Sequence, residues 1–182
     1  MSFNKELIFN DDSIICKDDG LEVMMDWETP IMEKVAEFIC ANGGDILEVG
    51  FGMGISAGYI QANSINSHTI VECHPQVLEK AKEWAKDKPN VTIIEGDWYE
   101  IKDSLSTYDG IFHDTWADDN IAEFIPALNN LVKLGTRVSW WNDFTETGPF
   151  HIDGTVYEAI NITPEKNMYF SNTTYYLPKK QF

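Results

Sequence analysis

Basic residues are scarce. Thirteen Lys and Arg stand against thirty Asp and Glu, a formal net charge of −17 over 182 residues. Such a chain repels phosphate backbones and anionic lipid, so nucleic acid and membrane surfaces are not expected as partners. A cationic substrate would be attracted, but taken by itself the acidity reads first as serving solubility. Cysteine is sparse too. Cys16, Cys40 and Cys73 make no CxxC pair and no metal-ligand spacing. No disulfide framework and no metal site are expected, and reduced thiols in a cytoplasmic protein are the simplest reading. No apolar run approaches the ~20 residues of a membrane span. The start, Met1-Ser2-Phe3-Asn4-Lys5-Glu6, has no apolar stretch of the secretory kind. Repeats, linkers and low-complexity segments are also missing, so residues 1–182 read as a single domain.

What is present is a core. Hydrophobic residues make up 43% and aromatics 13%, which excludes a disordered chain. Residues 1–20 show no clean period and read as a loose arm or lid. Thr29 and Pro30 open an amphipathic helix through Ile31, Met32, Val35, Ala36, Phe38 and Ile39, ending near Gly43-Gly44. Strands are expected at 46–49, 68–72, 91–95, within 108–116 and at 136–141, with helices at 56–62, 76–87 and 121–133 between them. That alternation predicts an α/β fold with a doubly wound, mainly parallel sheet. Residues 155–163 and 167–177 follow without a long helix between them and predict a C-terminal antiparallel hairpin.

The stretch Asp45-Ile46-Leu47-Glu48-Val49-Gly50-Phe51-Gly52-Met53-Gly54-Ile55 passes from a buried strand into a glycine-rich turn and then a helix. Glycines allow tight turning and close approach of a ligand. The dinucleotide fingerprint GxGxxG wants a third glycine where Ile55 stands, which disfavours a nicotinamide oxidoreductase. The pattern Glu48-x-Gly50-x-Gly52-x-Gly54 instead resembles motif I of the S-adenosylmethionine-dependent methyltransferases. In an open α/β sheet the ligand sits beyond the carboxyl ends of the strands. Glu72 ends the second strand, where a carboxylate accepts ribose hydroxyls. Asp97-Trp98 ends the third, where a carboxylate takes an amino proton and an indole packs on a ring. Asp114 ends the fourth, where a methyl acceptor would lie. Asn142 and Asp143 end the fifth.

Four segments carry a closer resemblance: Val23-Met24-Met25-Asp26-Trp27-Glu28-Thr29-Pro30, the Leu47 to Gly54 run, Ile70-Val71-Glu72-Cys73-His74-Pro75, and Asp109 to Thr115. They are similar to guanidinoacetate N-methyltransferase and its relatives that methylate the internal guanidino nitrogen of protein arginine, over about residues 21–145. The resemblance implies a class I methyltransferase fold, monomeric or homodimeric. It places Met24, Met32, Gly50, Phe51, Gly52, Met53, Gly54, Ile55, Glu72, Asp97, Trp98 and Asp114 around S-adenosylmethionine; Glu48, Cys73 and His74 join them from the same motif runs. It gives the guanidino substrate to Glu28 and Asp114, with Asp143 and Phe144 on the substrate side. Asp114 is then the base and Glu28 the partner clamp. His113 points to the other strand face and reads as a core histidine.

The chain departs from the family in its short tail after Asn142, in Leu134-Gly135-Thr136 before the fifth strand, and in Thr115-Trp116-Ala117. These departures leave the acceptor open between a small guanidine and a protein arginine. Two alternatives stay open. One is a metal-dependent O-methyltransferase using Asp114, Asn142 and Asp143. The other is a binding protein that keeps the cofactor fold without turnover.

Overall fold

The computed structural model describes residues 5–116, 118, 120–143 and 151–182. Its centre is a seven-stranded sheet. The chain enters that sheet only after a smaller one, made by β1 (Leu7–Phe9), β2 (Ser13–Cys16) and β3 (Glu22–Met25), all antiparallel. Here the structure corrects the expected loose arm. Leu7, Ile14 and Cys16 are buried against Phe51, Ala57 and Val77, so this acidic segment carries enough apolar surface on one face to dock.

A single 3-10 turn, Asp26–Glu28, leads into α1 (Thr29–Ile39), which starts with Pro30 in its first turn. Its buried face is Ile31, Met32, Val35, Ala36 and Ile39. The parallel core then follows as β4 (Asp45–Val49), α2 (Ile55–Gln61), β5 (Ser67–Glu72), α3 (Pro75–Ala85), β6 (Val91–Glu95), the short α4 (Trp98–Ile101), β7 (Tyr108–His113), α5 (Phe124–Leu131) and β8 (Val132–Trp140). The last two strands are β9 (Val156–Asn161) and β10 (Thr174–Gln181). The order is β6-β5-β4-β7-β8-β10-β9, with the first five parallel and the last two antiparallel. The doubly wound sheet and the hairpin are therefore both present.

Several boundaries move, among them the α1 end, which comes at Ile39 rather than near Gly43-Gly44. α5 stops at Leu131 rather than Lys133, and β8 begins at Val132. Thr136 Oγ1 donates to the Tyr108 carbonyl oxygen at 2.6 Å and accepts the Lys133 N–H at 2.9 Å, drawing this chain into the sheet early. β10 starts at Thr174 rather than Asn167. The Asn167 side chain accepts the backbone N–H groups of Tyr169 and Phe170, so the segment before β10 turns instead of extending. The strand then runs past Pro178, whose carbonyl oxygen accepts the Ser139 hydroxyl at 2.7 Å.

Candidate functional site

The switch point of the sheet lies between β4 and β7, where the order reverses. Val49 leads into Gly50, which has φ 90° and donates to the Val71 carbonyl oxygen at 2.9 Å. A Cβ at Gly50 would run into the Asp114 carbonyl oxygen. Only glycine allows the turns after β4 and β7 to lie this close. Gly54 also has positive φ and opens α2.

Glu72 ties these turns together. Its Oε2 accepts the Phe51 N–H at 2.9 Å; its Oε1 accepts Cys73 N–H at 2.8 Å and His74 N–H at 2.7 Å. Burial pushes its pKa up, and the three N–H groups pull against that. Asp97 Oδ1 caps α4 through the Tyr99 N–H at 2.9 Å. The Trp98 indole donates to Asp118 Oδ2 at 2.6 Å, which fixes the ring plane beside Asp97.

Together these groups line a cleft that is partly open to solvent. Met24, Gly50, Phe51, Gly52, Glu72, Cys73, His74, Asp97, Trp98 and Asp114 all reach it. Five expected cofactor residues do not line it. Met32 is fully buried in the core beside α1. Glu48 is fully buried under the glycine turn, accepting the Ser56 hydroxyl, with His68 Nε2 2.9 Å from its other oxygen. Met53 packs between core clusters, while Gly54 and Ile55 serve as the start of α2.

Leu7 also lines the cleft and had no motif to announce it. Its N–H and carbonyl are both held by the Gln76 amide, at 2.7 and 3.1 Å, and His74 Nε2 lies 2.9 Å from the Lys5 carbonyl oxygen. The N-terminal strand thus lies across the cleft rather than away from it. Val23, Thr115, Trp116 and Asp118 complete that wall.

Of the expected acceptor-site acids, Asp114 lines the cleft, while Glu28 and Asp143 do not. Burial drives the Asp114 carboxyl well above the ordinary carboxylate range, and the charges of Glu28, Glu48 and Asp143 add to the rise. Glu28 is 3% exposed. Burial raises it to about 7; hydrogen bonds from Tyr169 and Met25 oppose the rise and Asp143 adds to it. Among the described residues no Lys or Arg pairs with either carboxylate. Asp143 is exposed and accepts the Trp141 indole N–H at 2.5 Å. Phe144 lies outside the described residues. Tyr169 was not foreseen, because 141 residues separate it from Glu28. His113 is buried between Trp98 and Phe124, and burial lowers it to about 4.

Two carboxylates without a counter-cation among the described residues, Asp114 after β7 and the buried Glu28 on the turn before α1, describe a site for a cation beside a nucleotide-like ligand. Comparison with known proteins agrees with that description. Residues 8–133 match the model of the guanidinoacetate N-methyltransferase family. The chain belongs to this family of S-adenosylmethionine-dependent methyltransferases.

Its relatives include proteins named protein arginine N-methyltransferase 2. The Kluyveromyces lactis one is 31% identical across 97% of this chain and 52% of its own length. The Saccharomyces cerevisiae one is 37% identical across 75% and 36%, and the Aspergillus oryzae one 41% across 80% and 36%. The chain thus spans between a third and about half of the length of these relatives. Among solved structures, spermidine synthase from Thermotoga maritima superposes with a TM-score of 0.67 at 16% identity, over 97% of this chain and 72% of that one. A putative caffeoyl-CoA O-methyltransferase from Staphylococcus aureus gives 0.54 at 24% identity, over 63% and 57%. At such identities these two attest the class I fold alone.

The family's methyl donor fits the cleft. Gly50 and Gly52 bring the turn close to Asp114 and Met24; Val49, Val71, Val77 and Trp98 supply apolar walls, and Glu72 and Asp97 stand at two strand ends.

Proposed function

We propose that this domain transfers a methyl group from S-adenosylmethionine to a nitrogen of a guanidino group, either a small guanidine or an arginine side chain. The observation that carries the reading is the pairing of Glu28 and Asp114, two carboxylates whose ionisation burial opposes, with Glu28 adding to the rise at Asp114 and no Lys or Arg paired with either among the described residues. A bound guanidinium supplies the missing charge and a planar fork of donors.

Glu72, Asp97, Trp98 and the Gly50–Gly52 turn would hold the donor, which supplies an electrophilic methyl on a sulfonium. Glu28 and Asp114 orient the acceptor nitrogen in line with that methyl, and alignment is the larger part of the acceleration. As the nitrogen lone pair forms the new N–C bond, the C–S electrons stay on sulfur. The acceptor nitrogen must lose a proton, and Asp114 takes it. Burial favours this step, because a carboxylate forced to ionise by the bound cation regains its proton readily.

The metal-dependent alternative is not favoured. The Asn142 side-chain amide donates to the Tyr176 carbonyl oxygen at 2.8 Å, and Asp143 Oδ1 is taken by Trp141. The charge of −17 supports a cationic acceptor over nucleic acid or an anionic membrane surface. Among the described residues no helix is long and apolar enough to cross a membrane. The free Cys16, Cys40 and Cys73 support a reducing cytoplasmic setting.

A labelled methyl donor offered with guanidines, arginine peptides, amines and catechols tests the reading. Label on a guanidine or arginine is expected; label on catechol alone would sink it.

A further inference from the structure

We infer that Tyr169 is a positioning residue for the acceptor site, holding the Glu28 carboxylate in place through its phenol hydroxyl. The inference rests on the guanidino reading above. The Tyr169 hydroxyl donates to Glu28 Oε1 at 2.6 Å, and the Met25 N–H donates to the same oxygen at 2.9 Å. Both protein donors therefore sit on Oε1. Among the described residues none reaches Oε2, so Oε2 is the oxygen left for a substrate N–H. Glu28 then grips the acceptor with one oxygen rather than two, and its alignment depends on what fixes the carboxylate plane.

The hydroxyl is itself held. The Tyr169 ring stacks on Trp27, with centroids 5.8 Å apart and planes 27° apart, and it meets Trp141 at 6.2 Å. Phe170 stacks on Trp27 as well, at 5.8 Å. Asn167 Oδ1 accepts the N–H groups of Tyr169 and Phe170, and Glu22 Oε2 accepts that of Met168 at 3.2 Å. The segment between β9 and β10 is thus clasped onto the turn that carries Glu28.

The charged groups around Glu28 are all acidic: Asp114 after β7, Asp143 after β8, and Glu22 on β3, which acts on Tyr169. Among the described residues the Tyr169 phenol is the one side-chain donor to Glu28. It supports the ionised carboxylate that a guanidinium requires, and a ring without the hydroxyl keeps the stacking and loses only that support.

Tyr169→Phe is the test, read in two ways. Carbon-13 titration of the Glu28 carboxyl needs no substrate, and its midpoint should rise by on the order of one pH unit. The acid limb of kcat/KM for the guanidino acceptor should move up by the same amount. KM below that limb should rise about tenfold, with affinity for the demethylated donor unchanged. Glu22→Ala serves as a control: it removes the acceptor of the Met168 N–H, loosens the segment, lowers the melting temperature and leaves the limb in place. A Glu28 midpoint that does not move in Tyr169→Phe overturns the proposal, whatever happens to melting. A moved midpoint with unmoved acceptor KM overturns the positioning role. If the wild-type protein methylates no guanidine while the midpoint still moves, the acceptor reading fails and the Tyr169–Glu28 link stands.

Discussion

Glu28 shows how one residue carries fold and chemistry in opposition. It is buried, and its carboxyl sits at about 7 instead of the usual value near 4.5. The folded protein therefore binds a proton that the unfolded chain has already released. Stability is full below about pH 4.5 and is lost as pH rises through about 7. Glu28→Gln keeps an acceptor for Tyr169 and Met25 and cannot ionise. It should be more stable than wild type at pH 8 by on the order of 2 kcal/mol, and should lose most of that advantage at pH 5. Denaturant unfolding at the two pH values measures this. The same variant should turn over more slowly and with a higher acceptor KM. Asp114→Asn should lower turnover by about 10²–10⁴, the usual weight of a general base, with donor affinity little changed. Wild-type activity should rise with pH through about 7, since the acceptor cation needs both carboxylates ionised. His113 moves stability the other way. With its pKa lowered to about 4, it withdraws stability as pH falls from about 6.5 to 4.

At the scale of elements, the turns after β4 and β7 act as one unit because Gly50 lets them touch. Gly50→Ala should weaken donor binding and acceptor turnover together, by at least tenfold each, since the Asp114 backbone must shift. Calorimetry with the demethylated donor and a kinetic assay check both; loss of one alone would contradict the coupling. The N-terminal strand is a second element with a single attachment to test. Gln76→Ala removes both bonds to Leu7. The Leu7 amide should then exchange hydrogen at least tenfold faster, with the amides of β4 unaffected. Equal protection in the variant would show that apolar docking of Leu7 alone holds the strand.

At the scale of the whole molecule, the charge of −17 has two consequences of opposite sign. Salt screens self-repulsion, so the melting temperature should rise between low and physiological ionic strength. Salt also screens the attraction for a cationic acceptor, so its KM should rise over the same range while donor affinity changes less. Thermal scans and steady-state kinetics across a sodium chloride series check this pair.

The parallel sheet, the glycine turn and the strand-end carboxylates were legible in sequence because each is local. Val49-Gly50-Phe51-Gly52 states its turn within four residues, and Glu72, Asp97 and Asp114 each follow an apolar run that names the strand. Periodicity also located α3 to within two residues and the start of α1, whose end at Ile39 comes before the expected Gly43-Gly44. The contacts that complete the site are not local. Leu7 meets Gln76 across 69 residues and Tyr169 meets Glu28 across 141, so no spacing rule reaches them. The N-terminal segment read as a loose arm because three short strands gain their stability from docking on α3 and the glycine turn, and not from a pattern of their own. Met32 came as a cofactor residue from the family resemblance and Glu48 from the glycine motif, and packing buries both side chains in the interior. Local chemistry determined what kind of ligand this chain can hold. Tertiary burial decided which carboxylates are uncompensated, because desolvation and mutual repulsion exist only once distant segments close over them.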